Sequence, residues 1–254
     1  EAMRVAVAGG TGVVGRHVVE SVRTAGHEPV VLSRSRGVDL VSGRGLTAGL
    51  DGVDAIVDVA NISTLARKPA TRFFTTVSRR LQEAGAAAGV RHLVTLSIVG
   101  VDRVGLGYYQ GKLAQEAVAL SGPVPGTVLR ATQFHEFAEQ TLARVRGPVA
   151  LTPRMRMRPV AASEVAARLV ALVEGEPQGM ADDFGGPEVH ELVDLARRVS
   201  AARGLRRPVL PVRLPGATGR AMATGALLPR AGGPRGTVTF AEWLGGSSPL
   251  NVRP

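Results

Sequence analysis

The sequence of 254 residues has no cysteine, few aromatic residues and no apolar run long enough to cross a bilayer. The absence of cysteine excludes disulfide bonds and thiolate chemistry, and it is consistent with a cytoplasmic protein. No signal-peptide pattern is present, so we expect no membrane partner. The five histidines are scattered without the spacing of metal ligands, which predicts that there is no metal site.

The charge balance is basic, with 31 Lys and Arg against 21 Asp and Glu and a formal net charge of +10. Such a charge can indicate nucleic-acid binding. Here the basic residues are nearly all arginines spread along the chain. The densest group, Arg154, Arg156 and Arg158, alternates with methionines, which is typical of an extended segment with one solvated face. No aromatic residues accompany it as stacking platforms, so we expect a small-molecule partner and no nucleic acid.

A glycine-rich turn early in the chain is the most informative motif. The apolar run Val5–Ala8 predicts a buried strand, glycines follow at a spacing of three, and an apolar helical pattern comes next. Strand, glycine turn and helix in this order are typical of a dinucleotide-binding unit, in which backbone approaches the pyrophosphate and the helix N-terminus attracts its charge. A plain connection between strand and helix is the alternative. The residues predicted to hold the cofactor here are Gly9, Thr11, Gly12, Val13, Val14 and Gly15.

The end of the second predicted strand indicates which dinucleotide binds. Sites specific for NAD usually place Asp or Glu here, where the carboxylate accepts a hydrogen bond from the ribose 2′-hydroxyl. This chain has Ser33 and Arg34 instead. Hydroxyl and guanidinium groups suit a 2′-phosphate, so the sequence predicts NADP(H) in preference to NAD(H). The alternative is a polar turn in a chain rich in arginine.

The third predicted strand, Ala55–Ala60, ends at a further candidate contact with the cofactor. Ligands of open α/β sheets bind outside the carboxyl ends of the strands, which places Ala60 and Asn61 beside the adenine or the ribose. Asn61 is equally consistent with a residue that only forms a turn. Before this strand, the segment 39–52 predicts an abbreviated strand and one helical turn.

A second group of candidate residues lies in the middle of the chain. A predicted strand ends at Ser97, and a helix that follows places Tyr108 and Lys112 four residues apart on one face. Lys112 is one of only two lysines in a chain that otherwise uses arginine, which favours a role that a guanidinium cannot fill. Tyr109 points about 100° away on the helix and is a weaker candidate.

These residue types suit the reduction of a carbonyl group. A nearby lysine cation would lower the pKa of the Tyr108 phenol, which could then protonate a carbonyl oxygen while hydride reaches the carbon. Ser97 would donate a hydrogen bond to the same oxygen. In the alternative interpretation, Tyr108 only packs in a cleft and Lys112 only binds ribose hydroxyls.

The later part of the chain predicts the surroundings of the substrate. Gln133, Phe134 and His135 follow another predicted strand, and we expect them to line the substrate pocket. His135 is also consistent with a polar residue at the entry of a helix. Further on, Ser163 is predicted to cap a helix over 164–174.

Taken together, the motifs resemble the short-chain dehydrogenase/reductase superfamily, and most closely its atypical NmrA-like, NAD(P)H-binding branch. The motifs that carry the resemblance are Gly9-x-x-Gly12-x-x-Gly15, Ser97, Tyr108-x-x-x-Lys112 and Leu129–Phe134. The resemblance implies an α/β fold: a Rossmann-type, doubly wound parallel sheet over 3–150 and a small C-terminal substrate lobe over 151–254, part of which returns to the sheet. It also implies that Ser97 orients the carbonyl, Tyr108 is the acid and Lys112 binds ribose.

The activity expected from the residues and the resemblance is reduction of a small carbonyl, quinone or enone-type metabolite with NADPH. A catalytically silent NADP(H)-sensing regulator is the alternative from another class. An epimerase or dehydratase with bound NAD is a weaker alternative. The sequence is consistent with either a monomer or a homodimer.

Overall fold

The structure, a computed structural model, describes residues 1–247 of the chain. It has the α/β fold that the sequence predicts. The strands are β1 (Arg4–Ala8), β2 (Glu28–Leu32), β3 (Ala55–Asp58), β4 (His92–Ile98), β5 (Gly126–Ala131), β6 (Ala150–Pro153), β7 (Arg156–Met157), β8 (Gly179–Met180), β9 (His190–Glu191) and β10 (Val209–Val212).

Six of these strands form one parallel sheet in the order β2-β1-β3-β4-β5-β8. The chain leaves β1 for β2 on one side and later returns to β3 on the other side, so the strand order reverses at β1. In open sheets such a switch point leaves a crevice outside the carboxyl ends of the strands, where ligands bind. The sheet therefore places the residues that follow β1, β2, β3 and β4 around one crevice.

The segment 39–52 differs from its prediction. Its helical turn is present, but the abbreviated strand is wrong, since no strand lies between β2 and β3 in this described part of the chain. The Asp39 carboxylate accepts hydrogen bonds from the backbone of Val41 and Ser42, and Gly43 and Gly45 follow with positive φ. This geometry folds the backbone into consecutive turns, which cannot pair with β2.

Helices cover both faces of the sheet. They are α1 (Val13–Thr24), α2 (Leu46–Gly49), α3 (Arg67–Ala87), α4 (Gly107–Ser121), α5 (Phe137–Arg144), α6 (Ala162–Val173), α7 (Leu192–Ala202), α8 (Gly216–Thr224) and α9 (Phe240–Gly246). Side chains of β1 alternate between the two faces: Val5 and Val7 belong to the core beneath α1 and α6, and Ala6 and Ala8 to the core beneath α3. Because both faces of β1 are buried after Arg4, its residues 5–8 are a continuous apolar run.

A further apolar cluster is built from residues that follow β4 and β5 and from the later part of the chain. The short sheets β6–β10 and β7–β9 lie in this later part, and β8 returns to pair with β5. The predicted alternation around β7 holds for buried Met155 and Met157 and for exposed Arg154 and Arg156. It is wrong for Arg158, which is half-buried because its guanidinium donates to backbone carbonyls of residues 186 and 187. None of the helices within residues 1–247 is long and apolar enough to span a membrane.

The start of α6 corrects the predicted cap. The helix begins at Ala162, so Ser163 already lies inside it, and the preceding Ala161 offers no side-chain cap. Glu164 has a different role, because its carboxylate accepts hydrogen bonds from the backbone of Thr237 at 2.6 Å and ties the C-terminal segment to the helix.

Candidate functional site

The glycine turn after β1 is shaped by backbone contacts alone. Gly9 has φ +84°, a conformation that favours glycine, and a Cβ there would lie only 2.8 Å from the backbone nitrogen of Ala60. The Gly12 amide donates to the Gly9 carbonyl at 3.0 Å. A Cβ on Gly15 would overlap that same carbonyl oxygen, so α1 can approach the turn only because residue 15 is glycine.

The N-terminus of α1 is open. No side chain caps it, and its first turn contains no acidic residue. Thr11, Gly12 and Val13 are exposed at this point. Uncapped N–H groups and the positive end of the helix dipole are suited to a phosphate. The residues present thus fit the pyrophosphate of a dinucleotide.

Ser33 and Arg34 lie where the sequence places them, directly after β2. Arg34, Ser35 and Arg36 form a single 3₁₀ turn that ends at Gly37 with φ +81°. All three are exposed, and within residues 1–247 the Arg34 guanidinium has no carboxylate partner. An unpaired guanidinium at this position can bind an anion without first giving up an ion pair.

Tyr108 meets Asn61 across the mouth of the crevice. Its hydroxyl donates to the Asn61 Oδ1 at 2.5 Å, and its ring packs edge-on against Phe74 with the ring centres 5.5 Å apart. Burial, reinforced by the neighbouring Tyr109 and opposed by the hydrogen bond to Asn61, raises the pKa of Tyr108 to about 12. The expected lowering of this pKa by Lys112 is therefore wrong, because the Lys112 ammonium is bonded elsewhere.

Lys112 belongs to the buried face of α4 and takes part in a polar network there. Its ammonium donates to the Leu96 carbonyl at 2.8 Å and to the Gln115 Oε1 at 2.5 Å, and it lies 4.5 Å from the centre of the Phe74 ring. The Gln115 amide in turn donates to the buried Asp58 carboxylate at 3.1 Å. Burial lowers the pKa of Lys112 to about 8, with Asp58 opposing that shift.

Ser97 differs from its predicted position. β4 continues to Ile98, so Ser97 lies inside the strand, and it is 1% exposed. Its hydroxyl donates to the Glu116 carboxylate at 2.5 Å, and Glu116 also accepts two hydrogen bonds from Arg130 at 2.9 and 2.8 Å. Arg130 reaches Asp102 as well, at 3.0 Å. The Ser97 hydroxyl is thus part of a buried charge cluster, and its role toward a carbonyl remains a prediction.

Sequence reasoning missed the polar partners inside these networks, namely Asp58, Asp102, Gln115, Glu116 and Arg130. One signal was available. Gln115 and Glu116 follow Lys112 by three and four residues, so three long polar side chains share the face of α4 that also carries Tyr108. Since α4 packs along α3 and β4, a polar stripe on that face indicates a buried network.

The three residues expected to line the substrate pocket have separate surroundings. Gln133 lies beside Tyr109, where it lowers the pKa of a phenol that burial raises to about 12. Phe134 forms a backbone bridge with the strand-like Val160. His135 is 1% exposed and stacks on Trp243 with ring centres 5.8 Å apart, and burial holds its pKa below the usual value. His135 is therefore enclosed by α9 and does not line an open pocket.

Two cavities open near these elements. One of about 480 Å³ lies next to the segment after β3 and is lined by Val41, Ile62, Lys68, Pro69, Arg72, Phe73 and Thr76. The other, of about 290 Å³, lies between the beginnings of α1 and α6 and is lined by His17, Glu136, Ala161, Ala162, Ser163, Glu242, Trp243, Gly246 and Ser247. The first is apolar with two cations at its rim, which is a suitable surface for a flat, anionic ligand group.

A parallel sheet with a switch point at an open glycine turn defines a dinucleotide-binding α/β enzyme. No family profile matches the chain. A curated relative, (4-alkanoyl-5-oxo-2,5-dihydrofuran-3-yl)methyl phosphate reductase of Streptomyces griseus subsp. griseus, is 32% identical over 222 residues, which are 80% of this chain and 74% of the relative.

Solved structures agree on the fold. A short-chain dehydrogenase/reductase superfamily protein from Agrobacterium tumefaciens with bound NAD has a TM-score of 0.68 at 21% identity, over 95% of each chain. The UDP-N-acetylglucosamine 4-epimerase from Bacillus cereus has a TM-score of 0.65 at 20% identity, over 83% of this chain and 85% of that one. The chain belongs to the family of the Streptomyces reductase and is an oxidoreductase-type enzyme, and its fold is that of the short-chain dehydrogenase/reductase structures.

Proposed function

We propose that the chain is an NADPH-dependent reductase of a small carbonyl, quinone or enone-type metabolite and a member of the NmrA-like branch of the short-chain dehydrogenases/reductases. One observation carries the proposal: Tyr108 and Lys112 share a face of α4 and contact the ends of adjacent strands. Tyr108 bonds to Asn61 after β3, and Lys112 bonds to Leu96 in β4. A phenol and an ammonium group thus lie at the edge of the sheet where the glycine turn also opens.

Lys112 is suited to holding the cofactor's ribose. An ammonium has three N–H donors, and Leu96 and Gln115 account for two of them. The third is available for a ribose hydroxyl. The buried Asp58 supplies the balancing negative charge through Gln115, which keeps the ammonium oriented.

Tyr108 is the proposed acid. Bound NADPH would supply the hydride to the substrate carbon. The Tyr108 hydroxyl would then give its proton to the oxygen, where a developing alkoxide is more basic than a phenolate, so that even a phenol with a raised pKa is an adequate donor. Ser97 joins this step only if its hydroxyl turns from Glu116 toward the substrate.

The preference for NADPH rests on Arg34. Its exposed guanidinium follows β2, where an acidic residue would accept from the ribose 2′-hydroxyl of NAD. We assign the adenosine end of the cofactor to the cavity of about 480 Å³, whose rim carries Lys68 and Arg72. Three cations around the adenosine end favour the additional phosphate of NADPH.

The substrate class follows from the relative. The name of the Streptomyces enzyme describes an unsaturated lactone with an alkanoyl group and a phosphate ester. This compound has a carbon–carbon double bond conjugated with carbonyl groups. We therefore infer a conjugated carbonyl compound as the substrate of this chain, and the basic charge of the chain is compatible with an anionic one.

The test is NADPH oxidation with a panel of carbonyls, quinones and unsaturated lactones. Tyr108→Phe should lower kcat at least a hundredfold and leave NADPH binding unchanged. Tyr109→Phe is the matched control and should retain activity.

Arg34→Asp should weaken NADPH binding about tenfold or more and NADH binding little, whereas Arg36→Asp should affect both cofactors less. Equal activity of the Tyr108 and Tyr109 variants would refute the proposed acid, and tight NAD retention without NADPH oxidation would favour an epimerase or dehydratase.

A further inference from the structure

The Tyr108 hydroxyl is held by the segment after β3, whereas the motif places Ser97 and Lys112 near it. Within the described residues, its hydrogen-bond partner is Asn61, and neither Ser97 nor Lys112 bonds to it. Ser97 donates to Glu116, and Lys112 donates to Leu96 and Gln115. The direction of the phenol proton is therefore set by the segment after β3.

The segment that carries Asn61 packs closely at its two ends. The preceding residue, Ala60, donates its amide to Asp58 at 3.0 Å and lies against Gly9 so closely that a Cβ on Gly9 would be 2.8 Å from its nitrogen. On the other side, a Cβ on Gly107 would be 2.8 Å from the Arg67 amide nitrogen. The segment between β3 and α3 thus joins the glycine turn to the residue directly before Tyr108.

The tyrosine ring is equally constrained. Phe74, which is fully buried in α3, packs edge-on against it, and the Tyr109 ring lies 6.2 Å away on the other side. With the ring held in place, the remaining freedom of the phenol is rotation of its O–H bond. A carboxamide suits this situation because it carries both an acceptor oxygen and a donor NH₂ group.

We infer that Asn61 is a positioning residue for Tyr108: its Oδ1 holds the phenol hydroxyl in the resting enzyme and, after proton transfer and a half-turn of the carboxamide, its NH₂ group donates to the phenolate. This inference rests on the proposed reductase activity. In the step itself, hydride forms the new C–H bond, the carbonyl π pair moves to oxygen, and the Tyr108 O–H bond breaks to protonate that oxygen. Tyr108 is half-buried, so the phenolate can regain its proton from water.

The hydrogen bond can be measured without substrate. The chain has two tyrosines, so Tyr109→Phe leaves Tyr108 as the single tyrosine, and carbon-13 at its Cζ gives one NMR resonance. In that background, Asn61→Ala should move the resonance away from the phenolate position, because the O–H bond is no longer polarised by an acceptor. Asn61→Asp keeps an acceptor oxygen and should preserve the bond. Ser63→Ala, at an exposed site in the same segment, is the matched control and should leave the resonance in place.

Turnover then separates positioning from mere packing. With a substrate found in the NADPH assay, Asn61→Ala should lower kcat about tenfold to a hundredfold, with the KM for NADPH little changed. Asn61→Asp should lower kcat further although the hydrogen bond is kept, since a carboxylate opposes formation of the phenolate.

Three outcomes would overturn the inference. An unchanged Cζ resonance in Asn61→Ala would show that the hydrogen bond does not form. A moved resonance with parental kcat would remove the positioning role. Loss of NADPH affinity as the main effect would make Asn61 a cofactor ligand instead. If none of the compounds in the panel supports NADPH oxidation by the Tyr109→Phe parent, the proposed function fails. The NMR comparison then still decides whether Asn61 holds Tyr108.

Discussion

The glycine turn and the buried face of α4 form the two halves of the candidate site in opposite ways. The turn is made of backbone, with Gly9 and Gly15 placed where no side chain fits. The α4 face is made of side chains, with Lys112 and Glu116 each bonded to more than one partner. The turn is local, spanning residues 9–15, whereas the α4 networks connect residues far apart in sequence.

Because of this difference, the two halves are sensitive to different kinds of substitution. A backbone cradle fails when volume is added, because its carbonyl oxygens and amides cannot move aside. A buried polar network fails when charge is removed, because the remaining partner stays desolvated and unpaired. A substitution that adds only volume should therefore damage the glycine turn more than the α4 face. A substitution that removes only charge should damage the α4 face more than the glycine turn.

The largest expected effect is on stability, from Glu116→Gln. The change keeps the shape of the side chain but removes the bidentate carboxylate of the buried Arg130, which keeps Asp102 at 3.0 Å as its second partner. Breaking a buried ion pair typically costs about 3–5 kcal/mol of unfolding free energy, and because Asp102 remains we expect the lower end of that range. Urea denaturation of the wild type and of Glu116→Gln measures this loss of unfolding free energy.

The control for this change is Asp194→Asn, which breaks the exposed pair between Arg197 and Asp194 in α7. An exposed pair contributes about 1 kcal/mol or less. If the two variants lose equal unfolding free energy, the buried ion pair of Glu116 and Arg130 contributes no more to stability than an exposed one.

The next effect is on cofactor binding, from Gly15→Ala. Alanine is the better helix former by about 1 kcal/mol, so a loss cannot come from helix propensity. The added Cβ would overlap the Gly9 carbonyl oxygen and push α1 away from the turn. We expect NADPH affinity, measured by nicotinamide fluorescence, to fall about a hundredfold, the loss that a misplaced phosphate site produces.

Gly245→Ala in α9 serves as the matched change, since a Cβ there meets nothing within 4 Å. It should leave NADPH affinity at the wild-type value and raise stability slightly. Native-like NADPH binding by Gly15→Ala would mean that the turn is not a rigid cradle, and the contrast between the two halves would weaken.

The same contrast explains what the sequence could predict. The strand, the glycines and the helix of the turn are consecutive, so their spacing alone defined the cradle and the open α1 N-terminus. The positions of Tyr108 and Lys112 on one face of α4 also followed from spacing. Their hydrogen bonds did not, because Asn61 and Leu96 belong to other elements. The hydrogen bond of Ser97 did not follow from spacing either: its partner Glu116 is 19 residues away and becomes a neighbour only when α4 packs on β4.

The smallest expected effect is a pH dependence that belongs to the α4 half alone. Burial lowers the pKa of Lys112 from 10.5 to about 8 in the folded protein. Below pH 8 the lysine is protonated in both states, so the cost of burying its charge is present in full. Between pH 8 and 10.5 the unfolded chain binds more protons than the folded one, and stability rises with pH. Relative to Lys112→Met, the wild type should therefore gain on the order of 1–3 kcal/mol between pH 8 and pH 10.

The other lysine makes the measurement specific. Lys68 is exposed at the beginning of α3, so Lys68→Met should run parallel to the wild type across the same pH range in urea denaturation. The gain should be confined to Lys112 because its ammonium is buried on folding, whereas the Lys68 side chain stays exposed. A flat difference between the wild type and Lys112→Met from pH 8 to pH 10 would mean that Asp58 compensates the buried charge completely. The α4 network would then be as insensitive to protonation as the glycine turn, which contains no titratable group.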